Sequence, residues 1–306
     1  MLETKRFYSN GKLLLTGEYV VLDGARALAL PTKYGQDLVV ESFQSGNVKW
    51  QSIDSNGSVW YSDNIQFSEI FEGTSIENNS IRKTLVKILH EAHLLNPEVL
   101  KNKNGYSVTT TLTFPKNWGL GTSSTLINNI AQWFGVNAFE LLSRSFGGSG
   151  YDIAAAQNDC PVIYSKLKSS QQISKVDFDP KFKNNLYFVY LNRKQSSKDA
   201  IASYYNNRGE DVDELVNQIS RITDSILHAS ALEEFSQLIE RHEKLLSTIL
   251  QMKTVKELYF SDFKGTIKSL GGWGGDFILV ASAEDPTLYF TERGYPVIIP
   301  YSEMIL

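Results

Sequence analysis

The sequence has few of the features that mark secreted, zinc-binding or membrane-spanning proteins. Cys160 is the only cysteine among 306 residues, which excludes an internal disulfide and argues against a cysteine-based zinc site. No run of about 18 apolar residues is present, so no membrane-spanning helix is expected. The first residues contain no apolar secretory core. These absences lead us to expect a soluble, cytoplasmic protein.

An excess of positive charge is also missing. The chain has 30 Lys and Arg against 34 Asp and Glu, which gives a formal net charge of −4 at pH 7. Nucleic-acid-binding proteins usually show a basic surplus or stripe. His90 and His93 lie three residues apart, but the carboxylate of an H-E-x-x-H zinc site does not accompany them. Nucleic acid and membranes are therefore not expected partners.

A chain of 306 residues leaves room for two medium domains. In its first third the sequence predicts mainly strands. The turn signal Asp23-Gly24 lies between two apolar runs and predicts a hairpin of residues 19–22 with 27–30. Further strands are predicted at 12–15, 38–43, 48–53, 59–67 and 106–114. Helices are predicted after Asn79 or Ser80, after Thr122 and over 138–146.

The second half begins after a polar segment, residues 166–183, that we interpret as a domain junction. Apolar residues then recur at the helical period through two long segments, at 212–226 and 232–250. Strands are predicted at 186–191, 277–281, near Leu288 and at 296–299. Because strands and helices do not alternate one by one, the pattern predicts an α+β protein and not a doubly wound parallel sheet.

The segment from Pro115 to Ser124 joins a predicted strand to the start of a predicted helix. Two glycines let its backbone approach a bulky anion, and the free amides at a helix start favour phosphate. Three consecutive hydroxyls can donate to phosphate oxygens or ligate magnesium. A P-loop signature is absent, and Ser124 stands where G-x-G-x-x-G has its third glycine. From the residues alone, a glycine turn capping a structural helix is an equal alternative.

Four segments of the chain resemble motifs of the GHMP kinases, the family of galactose, homoserine, mevalonate and phosphomevalonate kinases. Residues 115–124 are similar to the second motif, P-x-x-x-G-L-G-S-S-A. Residues 11–19, G-K-L-L-L-T-G-E-Y, resemble the first motif, particularly that of phosphomevalonate kinases, and residues 271–276 resemble the third. Residues 150–154, G-Y-D-I-A, resemble the segment that holds the catalytic aspartate and match the signature of the GYDIA branch. The resemblance spans nearly the whole chain.

The resemblance implies a role for each motif in ATP- and Mg²⁺-dependent phosphoryl transfer. Asp152 is implied as the general base, and Lys12 as its partner and a stabiliser of negative charge. Magnesium would contact Thr122 or Ser123. The ATP phosphates would be bound by Gly119, Leu120, Gly121, Thr122, Ser123 and Ser124. The loop near the acceptor would comprise Gly271, Gly272, Trp273, Gly274 and Gly275.

The resemblance also implies two domains and a class of substrate. Residues 1–168 would form a nucleotide-binding domain like the second domain of ribosomal protein S5, and residues 169–306 a ferredoxin-like domain. The implied partners are ATP and a small acceptor, of the mevalonate or phosphomevalonate kind, and the protein would be a monomer or homodimer. An ATP-dependent decarboxylase of the mevalonate diphosphate type and a non-catalytic binding or regulatory protein are the alternatives.

Several positions depart from the family pattern or have simpler interpretations. Trp273 replaces a small residue and would narrow the acceptor space or cover the nucleotide. No second carboxylate for magnesium is evident between the second motif and Asp152. Residues 194–198 are candidates for the acceptor pocket, although a solvated helix start is also compatible. Glu18 and Asp276 fit equally well as turn residues. Taken without the motifs, Lys12 fits an ordinary surface lysine, and Asp152 fits a carboxylate that complements the dipole at a helix start.

Overall fold

The computed structural model describes residues 4–43, 46–75, 79–101, 105–167, 170–193, 197–209 and 212–306. Residues 194–196 of the candidate acceptor segment lie outside the described residues, as does position 168 of the predicted domain boundary. The strands are β1 (Thr4–Leu14), β2 (Ala27–Phe43), β3 (Asn47–Ile53), β4 (Val59–Gln66), β5 (Gly105–Leu112), β6 (Val162–Lys166), β7 (Gln171–Lys175), β8 (Leu186–Tyr190), β9 (Thr266–Ser269), β10 (Phe277–Ala281) and β11 (Ile298–Pro300). The helices are α1 (Phe67–Glu72), α2 (Ser80–Leu95), α3 (Thr122–Phe134), α4 (Ala138–Ser145), α5 (Tyr151–Ala156), α6 (Ser197–Asn207), α7 (Val212–His228), α8 (Leu232–Leu250), α9 (Val255–Tyr259), α10 (Thr287–Glu292) and α11 (Tyr301–Met304), with short 3-10 turns at Val20–Asp23, Pro97–Leu100 and Lys183–Asn185.

Contacts divide the chain into two compact units. The first unit comprises Met1–Gly11, Tyr34–Lys116 and Leu120–Gln157, and the second comprises Lys12–Lys33, Asn117–Gly119 and Asn158–Leu306. This division by contacts differs from the domains 1–168 and 169–306, which stay a prediction. The pairing order in the larger, mixed sheet is β4-β3-β5-β2-β6-β7, with β1 beside β2.

The first unit covers one face of its strands with helices. β3 pairs antiparallel with β4 and parallel with β5, and β5 pairs antiparallel with residues 36–43 of β2. Val108 lies opposite Val40 on one side and Trp50 on the other, and all three side chains are buried. The same core includes apolar residues of α1 to α5. Burial of this shared apolar surface is the main stabilising contribution to the unit.

The second unit contains the separate, fully antiparallel sheet in the order β11-β8-β10-β9. Ala27 to Ala29 of β2 pair antiparallel with β6, which pairs antiparallel with β7. α7 and α8 are the two long helices that the apolar spacing predicts, and the sequence prediction is confirmed for both. Their buried residues join a core with Trp273 and Val20.

Local signals explain where the helices of the first unit begin. Asn79 caps α2 by accepting hydrogen bonds from the backbone amides of Ile81 and Arg82, as the sequence predicts. α3 begins at Thr122, also as predicted, after Gly121 in the left-handed conformation, and it ends at the left-handed Gly135. The mixed sheet, the separate antiparallel sheet and the helices confirm the α+β class.

Two of the predicted strands are wrong. Residues 19–22 do not form the first strand of a hairpin. The 3-10 turn Val20–Asp23 stands there, with Val20 and Val21 buried, and Tyr19 before it has a φ of 61°. The segment at Leu288 is helix α10, in which the Asp285 side chain accepts from the amide of Thr287. Burial at the first place and a local hydrogen bond at the second outweigh intrinsic strand propensity.

Candidate functional site

The first turn of α3 carries most of the residues that the second motif predicts for phosphate binding. Gly121 precedes the helix with a φ of 97°, a conformation that glycine adopts without steric penalty. The amides of Thr122, Ser123 and Ser124 have no acceptor four residues earlier within the helix, as at any helix start. They therefore provide the donor set that an anion requires.

The hydroxyls of this turn fall into two pairs. Ser124 and Thr125 are buried, and their hydroxyl oxygens lie 2.9 Å and 3.0 Å from the carbonyl oxygen of Gly121. Thr122 is half-buried and Ser123 is exposed, and neither hydroxyl has a hydrogen-bond partner within the described part of the chain. Thr122 and Ser123 are thus the hydroxyls available to a ligand. Leu120 is fully buried, so only its backbone can take part.

Asp152 lies in the first turn of α5, a six-residue helix that follows Gly150. Gly150 has a φ of 98°, nearly the same as that of Gly121 before α3. α5 contacts α3, and Ile153 is buried in the same core as Ile127 of α3. The structure therefore brings the predicted phosphate turn and the predicted base together in one unit, on two packed helices.

Lys12 lies on β1 and is half-buried between the buried residues Gly11 and Leu13. It belongs to the second unit and Asp152 to the first. The pairing of Lys12 with Asp152 stays a prediction.

The first motif continues into a tight turn in the second unit. Gly17 has a φ of 88°, and a Cβ there would lie 2.6 Å from the Cβ of Ala27. The amide of Gly17 donates to Nε2 of His242 on α8, 3.0 Å away. Glycine is therefore required at position 17 by both its backbone conformation and its neighbour.

Glu18 joins a buried ion cluster, which we define as Glu18, Glu243 and Lys268. The Lys268 ammonium donates to Glu18 Oε1 at 2.6 Å, to Glu243 Oε1 at 3.1 Å and to the Ser269 carbonyl at 2.8 Å. Glu243 Oε2 accepts from the amide and the hydroxyl of Ser269, at 3.0 Å and 2.8 Å. The cluster thus connects the first motif to the residues directly before the third-motif loop.

Burial dominates the electrostatics of this cluster. It raises the pKa of Glu18 to about 7, although the positive charge of Lys268 opposes the shift. Burial lowers the pKa of Lys268, but the two carboxylates outweigh it, and the pKa is raised overall. The pKa of His242 lies well below its usual value because of burial and the nearby ammonium. Lys268 is therefore charged and His242 neutral at pH 7.

Two features fix the conformation of the third-motif loop: the backbone of its glycines and the packing of Trp273. Gly271 and Gly274 have φ values of 68° and 85°, and a Cβ at Gly274 would overlap the side chain of Val255. Trp273 is only 3% exposed, packs in the core beside Tyr19, and donates from Nε1 to the Lys253 carbonyl at 3.0 Å. The indole therefore stabilises the second unit, and the expectation that it narrows the acceptor space or covers the nucleotide stays a prediction.

Residues 117–119 of the second motif belong to the second unit and pack within it. The Tyr190 hydroxyl donates to the Asn117 carbonyl at 3.1 Å, and the Trp118 ring meets the Phe277 ring edge-on with centroids 5.5 Å apart. A Cβ at Gly119, whose φ is 69°, would overlap the Asp276 carboxylate. Asp276 thus explains why position 119 is glycine.

The described residues contain no group of three His, Cys, Asp or Glu side chains that could hold a metal ion. Any magnesium ligands here would therefore include hydroxyl, water or phosphate oxygens, which suit this ion. No helix in the described ranges is long and apolar enough to cross a membrane.

The sequence matches no protein-family model and no curated protein. Its fold does match solved structures. A mevalonate kinase from Methanococcus jannaschii is 16% identical, covers 97% of each chain and has a TM-score of 0.70. Phosphomevalonate kinase from Streptococcus pneumoniae, solved with phosphomevalonate and AMPPNP, is 15% identical, with a TM-score of 0.66 and coverage of 99% and 98%. The chain has the GHMP kinase fold.

A sugar-phosphate kinase shares this GHMP fold as well. The D-glycero-D-manno-heptose 1-phosphate kinase of Bacteroides thetaiotaomicron is 12% identical, with a TM-score of 0.63 over 99% of this chain and 96% of its own. Proteins named for chemically different acceptors therefore have the same fold as this chain, and the fold by itself does not identify an acceptor.

Sequence reasoning missed three residues beside the motifs of this GHMP fold: His242, Glu243 and Lys268. A signal for two of them was present, because the buried face of α8 includes Phe235, Ile239 and Leu246, and His242 and Glu243 occupy the same face. Polar residues on an apolar helical stripe are expected to find buried partners. Nothing near Lys268 in the sequence indicates that its partners are 25 and 250 residues away.

Proposed function

We propose that the chain is an ATP-dependent kinase that transfers the γ-phosphoryl group to a hydroxyl or phosphate of a small metabolite. The observation that carries the proposal is the packing of α3 on α5 within one unit. α3 offers helix-start amides and two hydroxyls without a hydrogen-bond partner among the described residues, and α5 offers the Asp152 carboxylate. Phosphoryl transfer depends mainly on positioning and charge stabilisation, to which an anion-binding turn and a carboxylate on packed helices can contribute.

The first turn of α3 would bind the ATP phosphates through the amides of Thr122, Ser123 and Ser124. The Thr122 and Ser123 hydroxyls fit a magnesium ion, since this ion prefers oxygen ligands and usually keeps several waters. Magnesium supplies neutralisation of the charge on the phosphate oxygens when it is bound. The Ser124 hydroxyl is engaged with Gly121, so its part would be limited to its amide.

Asp152 would accept the proton of the acceptor hydroxyl as the new P–O bond forms, while ADP leaves with the electrons of the broken bond. With a phosphate as acceptor, no proton need be removed, and Asp152 would orient the acceptor. Lys12 and the loop Gly271–Gly275 are assigned to the acceptor and the transferred group by the resemblance of their motifs.

For the acceptor we propose a small anionic metabolite of the phosphomevalonate or mevalonate type. The G-K-L-x-x-x-G-E-Y form of the first motif supports this class, as does the fold shared with kinases named for these substrates. We propose a cytoplasmic monomer or homodimer.

A substrate panel tests the function directly. ADP release would be measured with ATP, Mg²⁺ and each of mevalonate, phosphomevalonate, galactose and a heptose 1-phosphate, and products would be read by ³¹P NMR. We expect a new phosphate ester or diphosphate with at least one acceptor. Release of carbon dioxide from mevalonate diphosphate would contradict the kinase proposal and identify the protein as an ATP-dependent decarboxylase. Absence of ATP binding by calorimetry would favour a non-catalytic protein.

The role of Asp152 is tested by Asp152→Asn. We expect kcat to fall by roughly 10²–10⁴-fold, because the base is lost, while the ATP dissociation constant changes by less than about twofold. Asp159→Asn is the matched control, since Asp159 is exposed and lies outside the motifs. Wild-type turnover in Asp152→Asn would exclude Asp152 from the chemistry.

A further inference from the structure

The second unit contains an open cavity of about 630 Å³ that no motif residue lines. Residues from the segments 160–161, 175–179 and 301–306 form its wall, together with Lys33 and Lys183. Sites for small-molecule ligands usually have volumes of about 300–1,000 Å³. The cavity is therefore large enough for one such ligand, and it uses none of the residues that the motifs assign to phosphoryl transfer.

Hydrogen bonds join the three segments of the wall. The amide of Val176 donates to the carbonyl of Pro161 at 3.0 Å, and the hydroxyl of Tyr301 donates to the carbonyl of Phe178 at 3.2 Å. The first bond connects residues 160–161 with 175–179, and the second connects 175–179 with 301–306. The wall is therefore in place before a ligand binds, which lowers the entropic cost of binding.

Four lining residues are apolar or aromatic and buried, and we call them the floor: Pro161, Phe178, Tyr301 and Ile305. The rings of Phe178 and Tyr301 meet edge-on with centroids 6.4 Å apart, a favourable geometry for an aromatic pair. Transfer of an apolar group from water onto the floor is favourable, because it removes apolar surface from contact with water. The cavity therefore suits a ligand with an apolar body.

The charged lining residues are more exposed, and we call them the rim: Lys33, Lys175, Lys183, Asp177 and Asp179. Lys183 Nζ lies 2.6 Å and 2.9 Å from the two carboxylate oxygens of Asp179, so this pair is neutral overall. Lys175 and Asp177 have no hydrogen-bond or ion-pair partner within the part of the chain that the structure describes. Three lysines and two aspartates leave the rim with one excess positive charge, although the whole chain has a net charge of −4.

The ammonium of Lys33 is held in place by a neutral group. Its Nζ donates to the carbonyl of Ser302 at 2.6 Å, and among the described residues it has no other acceptor. An ammonium has three donors, so two of them and the full charge remain. An anionic group at the rim would gain charge-assisted hydrogen bonds from Lys33 and Lys175.

We propose that this cavity is a binding site for a small monocarboxylate with an apolar body. The body lies on the floor, and the carboxylate pairs with Lys33 and Lys175 at the rim. A dianion such as a phosphate ester fits less well, because it exceeds the single excess positive charge of the rim and is repelled by the Asp177 carboxylate. The proposal does not depend on the proposed kinase function.

The thiol of Cys160 reports on occupancy, since it lines the cavity and belongs to the only cysteine of the chain. The probe ligand is 4-phenylbutyrate, which has an aromatic body and one carboxylate. Alkylation of Cys160 by the neutral reagent iodoacetamide is followed by mass spectrometry. At ten times the dissociation constant of the ligand we expect alkylation to slow about tenfold, because only the unoccupied fraction reacts. Absence of saturable binding by calorimetry, or an unchanged alkylation rate at saturation, would overturn the proposal.

The charge of the ligand is tested with compounds that share the phenylbutyl body. 4-Phenylbutan-1-ol is neutral, 4-phenylbutylamine is cationic, and 4-phenylbutyl phosphate is mostly a dianion at about pH 7.5. We expect 4-phenylbutyrate to bind at least about fivefold more tightly than the alcohol, and the amine to bind more weakly than both. Tightest binding by the phosphate or by the amine would exclude a monocarboxylate as the ligand.

Lys175→Glu tests the rim, and its exposed position makes the change compatible with the fold. We expect the dissociation constant for 4-phenylbutyrate to rise at least about fivefold, while Lys175→Arg keeps it within about twofold of the wild type. Lys181→Glu is the matched control, because Lys181 is exposed and nearby in the sequence but does not line the cavity. Unchanged binding in Lys175→Glu, or equal weakening in Lys175→Glu and Lys181→Glu, would contradict the assignment of the site to this cavity.

Discussion

The two units bury polar groups next to their motif segments by opposite means. The first unit uses uncharged groups: Asn128 donates to the Ser9 hydroxyl, Ser9 to Asn129 Oδ1, and Asn129 to the Gln36 carbonyl. We call these buried hydrogen bonds the amide chain. The second unit uses the ion cluster of Glu18, Glu243 and Lys268. Amides and hydroxyls do not titrate between pH 5 and 8, whereas a carboxyl group with a pKa of about 7 does. The amide chain therefore keeps the same donors and acceptors over this pH range, whereas the stability of the ion cluster depends on its charge balance and changes with pH.

Removing the ammonium is expected to have the largest effect on stability. Lys268→Met leaves two buried carboxylates without their counter-charge, which lowers the free energy of unfolding by about 3–5 kcal/mol. Urea denaturation followed by tryptophan fluorescence measures the change. Lys264→Met is the control, because Lys264 is exposed and precedes the same strand. A loss below about 1 kcal/mol would mean that the cluster is not charged.

The second-largest expected effect is a pH dependence of stability that arises from Glu18 in the second unit. The pKa of Glu18 is raised from 4.5 to about 7, so the folded state holds this proton more tightly than the unfolded state. The stabilisation is full below about pH 4.5 and is lost as the pH rises through about 7. Between pH 5.5 and 8 we expect the free energy of unfolding to fall by about 2 kcal/mol from this group.

Glu18→Gln tests that assignment, because glutamine does not titrate. The groups that face Glu18 are Lys268, Glu243 and His242, and His242 stays neutral in this range. Denaturation curves at pH 5.5, 6.5, 7.5 and 8 are expected to show a smaller slope in the variant than in the wild type. Parallel slopes would assign the pH dependence to another group.

A substitution in the amide chain is expected to lower the free energy of unfolding by a smaller amount, which does not depend on pH. Asn129→Leu removes a donor from the Gln36 carbonyl and an acceptor from Ser9, at a cost of roughly 1–2 kcal/mol. The loss is expected to be equal at pH 5.5 and 8. Gln132→Leu on the same helix is the control, since the two hydrogen bonds of Gln132 are long, at 3.3 Å and 3.4 Å, and its side chain is exposed. A loss that changes with pH would contradict the contrast between the units.

The parts of the fold that could be predicted are those that depend on local signals. The apolar stripes of α7 and α8, the Asn79 cap and the glycine before α3 each act within a few residues. The errors at residues 19–22 and at Leu288 have the opposite cause. There the local signal favoured a strand. Burial of Val20 and Val21 accompanies the turn at residues 20–23, and a hydrogen bond from the Thr287 amide to the Asp285 side chain accompanies the start of α10.

The motif residues of the candidate site could be found from the sequence, but the groups that hold them could not. Gly17, Gly119 and Gly274 are explained by Ala27, Asp276 and Val255, and most of these neighbours are distant in sequence. The amide chain joins Ser9 to Asn128, 119 residues apart. Such pairs have no spacing rule, because they depend on which elements the fold places side by side.

The smallest expected effect separates two neighbouring hydroxyls of the phosphate turn. Ser124→Ala removes the hydrogen bond to Gly121, which lowers the free energy of unfolding by about 1 kcal/mol. Ser123→Ala, at an exposed hydroxyl with no hydrogen-bond partner among the described residues, is expected to leave stability unchanged within about 0.5 kcal/mol. Under the proposed function it weakens Mg·ATP binding severalfold, as measured by calorimetry with and without Mg²⁺. The buried Ser124 hydroxyl would have to leave the Gly121 carbonyl to reach the nucleotide. If Ser124→Ala nevertheless weakened Mg·ATP binding more than Ser123→Ala, Ser124 would be the ligand-binding hydroxyl, and our division of the two into structural and ligand-binding would be wrong.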